Sequence, residues 1–587
     1  MDRSPLKLLP DAAARLQNSG YTYTRNRPNV VRTNAGLLKG SFEDSVHIFR
    51  GVPYAKPPVG SRRFRSPMPL NHWDGVRDAT NFGPASYQVN RHNLSKVTDL
   101  VESMDPGVPG IMSWPAYVGK TYNQENTSED CLYLDIWTPN VGPKQKLPVY
   151  LYYHGGANAV SSGSFNLERG ANLAREENMI VVRPTYRLGA LGWVNFSLIS
   201  DKLPEASNLG VKDQIAALTW VYDNISAFGG DADNITIGGE SCGATAVSHL
   251  LTNEGAREMI RRAVLQSLSP FNVWCTQQKE EAIVVARQYM ELLQIDDPIG
   301  LMDMDPDRLL AVHNVLLRRF PADFNVAWRP LGAVIDGTII PENPACFLSK
   351  GQYPRKDFEL MIGFAKDEWQ FFRGHSDTAQ HGTEDAVIAV LSQVFEKDKA
   401  KYVYNSYKAL YPSHTPGHVL GDVMSMEFFK YSSLCIAENF AAQGLPVHVF
   451  QFSYDLPGHG GYLRAVHTGD MPFIWRNYTE QDLTSWSSFD GIDRENMARV
   501  SAEMGKMYGA FIREGNPGSI WPSFDASAQT ILWFGQEVQA KRQLLKSEWE
   551  VIKQAGVLDV PALEERLVRN VRQAVDTSGN DIAIHLN

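Results

Sequence analysis

The residues with the clearest capacity for chemistry form the pentapeptide Gly239-Glu240-Ser241-Cys242-Gly243. It has the pattern G-x-S-x-G, follows a short β-type run at 235–239 and precedes a stretch of small residues typical of a helix. In this context the serine lies on a sharp strand-to-helix turn that exposes its Oγ. The pattern predicts that Ser241 is a nucleophile and that the backbone N–H of Cys242 stabilises an oxyanion. Packing explains the small side chain of Cys242, and a reactive thiol is the alternative.

A second motif supplies groups that the same chemistry needs. A β-type run at 148–153 leads into His154-Gly155-Gly156-Ala157, an HGG-type loop. Loops of this type direct backbone N–H groups at the oxyanion of a tetrahedral intermediate, and one such donor contributes about 3 to 4 kcal/mol in the transition state. We therefore expect Gly156 and Ala157 to donate together with Cys242. An ordinary glycine turn is the alternative interpretation.

These motifs require a framework that holds strand ends next to one another. Short β-type runs bounded by Gly, Pro or Asn occur at 45–49, 131–137, 148–153, 180–184 and 235–239. Apolar residues at helical spacing occur at 211–228, 282–293 and 422–443. Strands that alternate with helices indicate an α/β fold, with a mostly parallel sheet covered by helices on both faces.

Composition limits the classes of function. The chain has 587 residues, 43% of them hydrophobic, and a formal net charge of −10 at pH 7. The hydrophobic fraction is enough for a large core, whereas the acidic balance disfavours binding to nucleic acid. The longest apolar runs fall short of the roughly 18 residues that a transmembrane helix needs. The sequence therefore predicts a globular protein without a transmembrane segment.

The N-terminus and the cysteines bear on the cellular compartment. The first 28 residues are polar and lack the apolar core of a signal peptide, which predicts a cytoplasmic location. No C-x-x-C pair or Cys/His cluster indicates zinc, and we expect neither a metal nor an organic cofactor. The five scattered cysteines are expected to be free thiols. They are Cys131, Cys242, Cys275, Cys346 and Cys435.

Several further blocks of sequence follow one another along the chain. They are Phe49-Arg50-Gly51-Val52-Pro53-Tyr54-Ala55, Glu129-Asp130-Cys131-Leu132-Tyr133-Leu134, Asp213-Gln214-Ile215-Ala216-Ala217-Leu218, Phe228-Gly229-Gly230-Asp231, Ala263-Val264-Leu265-Gln266-Ser267, Asp336-Gly337 and Gly515-Asn516-Pro517. With the two motifs above, they resemble the type-B carboxylesterase/lipase family, which contains cholinesterases, p-nitrobenzyl-type esterases and fungal lipases. The resemblance implies one α/β-hydrolase domain over 29–549, whose large insertions form a substrate gorge. An N-terminal extension at 1–28 precedes this domain, and a charged, partly helical tail at 550–587 follows it.

The resemblance also implies the acid and the base of a catalytic triad. His467, in Leu463-Arg464-Ala465-Val466-His467, corresponds to the general base, and a solvated loop histidine is the alternative. Glu368 takes the place of the acid that orients the imidazole, with Asp367 as the competing assignment and a structural salt bridge as a further alternative. The order Ser241, Glu368, His467 is the chain order of α/β-hydrolases.

Two more carboxylates are assigned supporting roles around the triad. Asp470 matches a family carboxylate that supports the site, although a solvated surface charge explains it equally well. Glu240, next to the nucleophile, is assigned a similar supporting role.

Some positions depart from the family pattern. Ser86 stands where many relatives have a cysteine bridged to the one in Glu129-Asp130-Cys131-Leu132, so that Cys131 lacks this partner. Trp369 and Leu268 replace glycines near the expected acyl and entrance regions, which implies an altered substrate pocket. Several aromatic residues are candidates for an apolar gorge, with a plain core role as the alternative for each. They are Trp114, Tyr117, Trp274, Trp369 and Phe372.

The leading hypothesis is a serine carboxylic-ester hydrolase that forms an acyl-enzyme from a small apolar or aromatic ester or lactone. One alternative is a biosynthetic acyltransferase or cyclising enzyme that uses the same triad. A second is a cholinesterase-like binding protein without catalysis, which the complete set of Ser241, Glu368 and His467 disfavours. The small-molecule ester is the only partner that the sequence predicts, and no pattern indicates an oligomeric state.

Overall fold

The computed structural model describes residues 29–106, 126–269, 276–319, 330–350, 353, 355, 357–373, 377–483 and 486–556. The predicted extension at 1–28 and most of the predicted tail lie outside these residues. The last described helix, Lys546–Ala555, crosses the predicted boundary at residue 549 and buries Trp549 and Ile552. None of the described helices is long and apolar enough to cross a membrane.

The described part of the chain is built on an eleven-stranded sheet. In chain order its strands are β1 (Ser41–Glu43), β2 (Val46–Pro53), β3 (Tyr133–Thr138), β4 (Leu147–Tyr153), β5 (Ile180–Pro184), β6 (Gly230–Glu240), β7 (Arg262–Gln266), β8 (Glu359–Ala365), β9 (Val447–Phe452), β10 (Thr530–Phe534) and β11 (Val538–Arg542). In space the order is β11-β10-β9-β8-β7-β6-β4-β5-β3-β2-β1. Each of the five β-type runs predicted from the sequence overlaps a strand of this sheet.

The middle of the sheet is parallel and its edges are antiparallel. Every pairing from β5 through β4 and β6 to β10 is parallel. The edge strands β1, β2, β3 and β11 pair antiparallel with their neighbours. Because parallel strands all end at the same edge, the loops after β4, β6, β7 and β8 meet along one side of the sheet.

Helices cover both faces of the sheet. The longer ones are Leu94–Met104, Leu209–Asn224, Cys242–Thr252, Lys279–Leu293, Pro306–Arg319, Glu384–Val394, Lys397–Leu410, Pro416–Ser425, Tyr431–Ala442 and Arg494–Glu514. Successive residues of the buried strands enter opposite cores. In β4, Leu151 belongs to the core with the helix Cys242–Thr252, whereas Tyr150 and Tyr152 belong to the core with the helix Arg494–Glu514. This alternation is the period of two expected for a strand buried on both sides.

The helical stretch predicted at 422–443 is interrupted. The helix Pro416–Ser425 passes into one π-helical turn, Met426–Lys430, before Tyr431–Ala442 resumes the α-helix. A π-helical turn inserts an extra residue and is frequent at functional sites. Apolar spacing alone does not reveal this insertion, because the turn changes the register of the side chains without breaking the helix.

The prediction of five free thiols is wrong. Cys242 is disulfide-bonded, whereas Cys131, Cys346 and Cys435 are free. Cys275 lies outside the described residues. The spacing of cysteines in a sequence does not determine their pairing, which is why the disulfide was not foreseen. The Sγ atom of Cys131 lies 3.6 Å from Oγ of Ser86, the residue that stands in place of the family cysteine.

Candidate active site

The strand β6 and the helix Cys242–Thr252 meet at Ser241, which has the strained backbone angles φ 57° and ψ −126°. A side chain on Gly239 would collide with the backbone of Gly243, and one on Gly243 would collide with the carbonyl oxygen of Tyr153 at the end of β4. The two glycines of the G-x-S-x-G pattern are therefore required by the close packing of strand, turn and helix. The turn places Ser241 in the wall of a cavity of about 730 Å³.

The loop after β4 lies against this turn. Gly156 and Ala157 have φ values of 104° and 54° and line the same cavity as Ser241. Among the described residues, their backbone N–H groups donate no hydrogen bond within the protein. The buried ring of His154 stacks on Tyr186, which donates its hydroxyl to the carbonyl oxygen of His154 at 2.6 Å and so fixes the start of the loop.

His467 and Glu368 form a buried pair at the wall of the cavity. Nδ1 of His467 lies 2.5 Å from Oε2 of Glu368. The other oxygen of Glu368 accepts hydrogen bonds from Oγ of Ser267 at 2.7 Å and from the backbone N–H of Ala365 at 2.6 Å. With three donors fixing its carboxylate, Glu368 holds the imidazole so that Nε2 is the nitrogen left for chemistry.

Nε2 of His467 lies 3.1 Å from Oε1 of Glu240, the residue before the nucleophile. This is ion-pair distance, although the two atoms do not have hydrogen-bond geometry. Burial raises the pKa of Glu240, and the imidazolium of His467 opposes the rise. Burial alone would lower the pKa of His467, but the charges of Glu240, Glu368 and Asp470 outweigh it and raise the pKa to about 9. The titration of the base is thus coupled to that of a cluster of carboxylates.

Asp367, the competing candidate for the acid, contacts another part of the loop that carries the base His467. Its carboxylate accepts from the backbone N–H of Ala465 at 3.3 Å and lies 3.2 Å from Nη1 of Arg464. Burial raises the pKa of Asp367, and the neighbouring cations oppose the rise. Asp367 therefore joins the loop that carries Glu368 to the loop that carries His467, and the contact with the imidazole belongs to Glu368.

Asp470 is buried and lies near the pair without touching it. Its Oδ2 accepts from the amide of Gln266 at 3.1 Å. Burial raises the pKa of Asp470 to about 6. The alternative of a solvated surface charge does not fit a carboxylate that is 3% exposed.

Ser161 and Thr468 also line the cavity, and apolar side chains form most of the remaining wall. They are Phe165, Leu167, Phe371, Phe372, Met471 and Trp486. The rings of Phe371 and Phe372 also contact His467, with centroids 5.5 and 5.4 Å from the imidazole. The carboxyl group of Glu168, which is paired with Arg183, and that of Glu240 are the charged groups of the wall apart from His467.

The predicted pocket residues have different outcomes. Phe372 lines the cavity, whereas Trp369 is 3% exposed and packs behind it, between Phe372 and Phe428. Trp114, Tyr117 and Trp274 lie outside the described residues. Sequence reasoning missed Phe165, Leu167, Met471 and Trp486, for which no motif gave a signal. It also gave no role to Ser267, although this residue ends one of the quoted family blocks.

Over residues 27–552 the chain matches the model of the carboxylesterase family. This chain belongs to the carboxylesterase family. Over 517 residues it is 31% identical to the phenmedipham hydrolase of Pseudarthrobacter oxydans, with 86% of this chain and 95% of that protein covered. Over 526 residues it is 30% identical to the para-nitrobenzyl esterase of Bacillus subtilis, with 87% and 95% covered.

Solved structures agree with these relatives. A carboxylesterase of Geobacillus stearothermophilus matches 89% of this chain and 99% of its own, with a TM-score of 0.74 and 29% identity. A structure titled PNB esterase matches the same share of this chain with a TM-score of 0.73 and 28% identity. The protein has the α/β-hydrolase fold and is a carboxylic ester hydrolase, which confirms the predicted family, fold and enzyme class.

Proposed function

We propose that the protein hydrolyses small-molecule esters through an acyl-enzyme on Ser241. The Oγ of Ser241 attacks the ester carbonyl while Nε2 of His467 takes its proton, and the carboxylate of Glu368 stabilises the imidazolium that forms. His467 then returns the proton to the leaving alcohol. Water, activated by the same imidazole, attacks the acyl-enzyme and releases the carboxylic acid.

The observation that carries this proposal is the buried contact of 2.5 Å between His467 and Glu368, at the wall of a cavity that Ser241 and the HGG loop also line. In the developing tetrahedral intermediate, the oxyanion would accept from the N–H groups of Gly156, Ala157 and Cys242. The N–H groups of Gly156 and Ala157 make no hydrogen bond within the described part of the protein, so they are available to the oxyanion without reorganisation, which is the main source of such an effect in catalysis.

The substrate that suits this cavity is an apolar or aromatic ester, and a lactone is the cyclic form of the same group. Phe165, Leu167 and Trp486 offer apolar contact area, and Phe371 and Phe372 lie on the side of the base. Burying an apolar acyl or alcohol group against them contributes about 25 cal/mol for each Å² removed from water. Such a wall favours esters over charged acids, which supports release of the product.

A fluorophosphonate probe tests the nucleophile. The probe should label Ser241 and abolish hydrolysis of p-nitrophenyl esters, and Ser241→Ala should prevent both. Ser161→Ala is a matched control, because this serine lines the same cavity and should leave labelling and activity in place. An adduct that mass spectrometry locates on another residue would contradict the proposal.

A series of p-nitrophenyl esters tests the substrate class. We expect kcat/KM to rise with the length of an apolar acyl chain until the cavity is filled. In Phe372→Ala this rise should be weaker, mainly through KM. A preference for acetyl over all longer or aromatic acyl groups would refute the apolar assignment.

A further inference from the structure

A second cavity lies beside the loop that carries Glu368 and shares no lining residue with the catalytic cavity. Its volume is about 850 Å³, and its wall includes Lys366, Asp367, Tyr407 and Lys430. We refer to it as the polar cavity. Apart from the link that Asp367 makes between the two loops, its charged and hydroxyl groups have no part in the acyl transfer proposed above.

The carboxylates in the wall of the polar cavity each have a partner of their own. The pairs are Asp367 with Arg464 at 3.2 Å, Asp422 with His414 at 2.6 Å, and Glu548 with the hydroxyl of Tyr411. Their acceptor atoms are therefore largely occupied by the protein.

Unlike these carboxylates, the ammonium group of Lys430 has no side chain as its partner among the described residues. Its side chain, at the end of the π-helical turn, is 7% exposed, and its Nζ donates to the carbonyl oxygen of Lys366 at 2.6 Å. In the part of the chain that the structure describes, the ammonium group makes no other hydrogen bond and no ion pair. The carboxylates of Asp367, Glu548 and Asp422 act on it only at longer range. Because an ammonium group carries three N–H donors, two remain for a ligand.

Two further polar atoms in the same wall have no hydrogen-bond partner among the described residues. They are the hydroxyl of Tyr407 and Oε1 of Gln451, on side chains that are 1% and 3% exposed. Buried polar groups are hydrogen-bonded in nearly all proteins, so unsatisfied atoms on side chains of one cavity wall indicate an occupant. The set provides donors from Lys430 and Tyr407 and an acceptor from Gln451.

We propose that the polar cavity binds a small hydroxycarboxylate. Its carboxylate accepts from the ammonium of Lys430 and from the hydroxyl of Tyr407, and its own hydroxyl donates to Gln451. The bound carboxylate gives Lys430 the close counter-ion that the protein itself does not provide, and charge-assisted hydrogen bonds of this kind are the strong ones. The site is separate from the ester-binding cavity.

Calorimetric titration tests this site. Sodium glycolate is titrated into the full-length Ser241→Ala protein, against sodium chloride at equal ionic strength. We expect saturable binding that is at least tenfold weaker when Lys430→Met is added. Lys397→Met is the matched control, because this lysine is exposed on the helix that carries Tyr407 and should leave the affinity unchanged.

A second variant keeps the test decisive if Lys430→Met does not fold, which its melting curve will show. Tyr407→Phe removes one hydroxyl and keeps the ring, and it should weaken glycolate several-fold. Acetate, which lacks the hydroxyl, should bind several-fold more weakly than glycolate. The proposal is overturned if glycolate shows no saturable binding, if acetate binds equally well, or if neither variant of the cavity changes the affinity.

Discussion

Replacing Glu240 by glutamine should move the pH dependence of the reaction to lower pH. Its Oε1 lies 3.1 Å from Nε2 of His467, the nitrogen that must be unprotonated to act as a base. A base whose pKa is raised works only above that raised value, so activity rises with pH as His467 loses its proton. The glutamine side chain would have nearly the same shape as that of the glutamate but no charge. The imidazolium would lose one of the carboxylates that stabilise it.

The size of the shift follows from the distance between the two groups. At 3.1 Å, a unit charge stabilises the imidazolium by about 1.3 kcal/mol even at the dielectric constant of water, and by roughly 5 kcal/mol at an effective value of about 20. Since one pKa unit corresponds to about 1.4 kcal/mol, the lower bound is about one unit. We therefore expect the acidic limb of kcat/KM to move down by at least about one pH unit from the position set by the raised pKa of His467.

The assay is the pH profile of kcat/KM for a p-nitrophenyl ester, measured at constant ionic strength. Asp470→Asn is the matched control, because Asp470 is also buried and its charge acts more weakly on His467. Its profile should shift by less than that of Glu240→Gln. An acidic limb that stays in place in Glu240→Gln, or moves to higher pH, would refute the reasoning.

Three more outcomes can be measured on the same protein. Glu368→Gln should lower kcat by about 10³ to 10⁴, because an amide cannot stabilise the imidazolium, whereas Asp367→Asn should cost far less; the reverse order would make Asp367 the acid. Thiol titration in denaturant should find at most three of the five cysteines before reduction and five afterwards, since Cys242 is disulfide-bonded and a disulfide within the chain takes up two thiols. Dithiothreitol should lower the melting temperature, because loss of a native disulfide typically costs about 2 to 5 kcal/mol, and a melting curve unchanged by complete reduction would contradict this.

Local sterics explain why the nucleophile region was predictable. The glycines at 239 and 243 are required by contacts within a few residues or with the adjoining strand, so the pattern specifies the turn wherever it follows a strand. The HGG loop is predictable for a similar reason, since it must lie beside that turn. The sequence also identified the parallel sheet, because β-type runs alternate with helical stretches along the chain.

Other features depend on the direction of a side chain, which a sequence does not contain. Glu368 and Asp367 are neighbours on one loop, and only the fold shows that one meets the imidazole while the other meets Arg464. The π-helical turn at Met426–Lys430 and the disulfide at Cys242 are likewise set by tertiary contacts. Because Cys242 is disulfide-bonded, five free thiols can no longer be used to support a cytoplasmic location, which stays a prediction.

The order of strands accounts for the order of the triad. The HGG loop, Ser241, Ser267 and Glu368 follow β4, β6, β7 and β8, which are adjacent in the sheet. Neighbouring strands are about 4.8 Å apart, and β7 lies between β6 and β8. Ser241 and the start of the loop that carries Glu368 are therefore about 10 Å apart, with Ser267, which follows β7, between them. An imidazole must bridge such a gap, and it comes from the long segment after β9. Ser267 meanwhile donates to Glu368 from the intervening strand and holds the carboxylate in line with the base. The carboxylate is thus fixed by the sheet itself, whereas the position of the base depends on a loop that is tied to the sheet through Asp367.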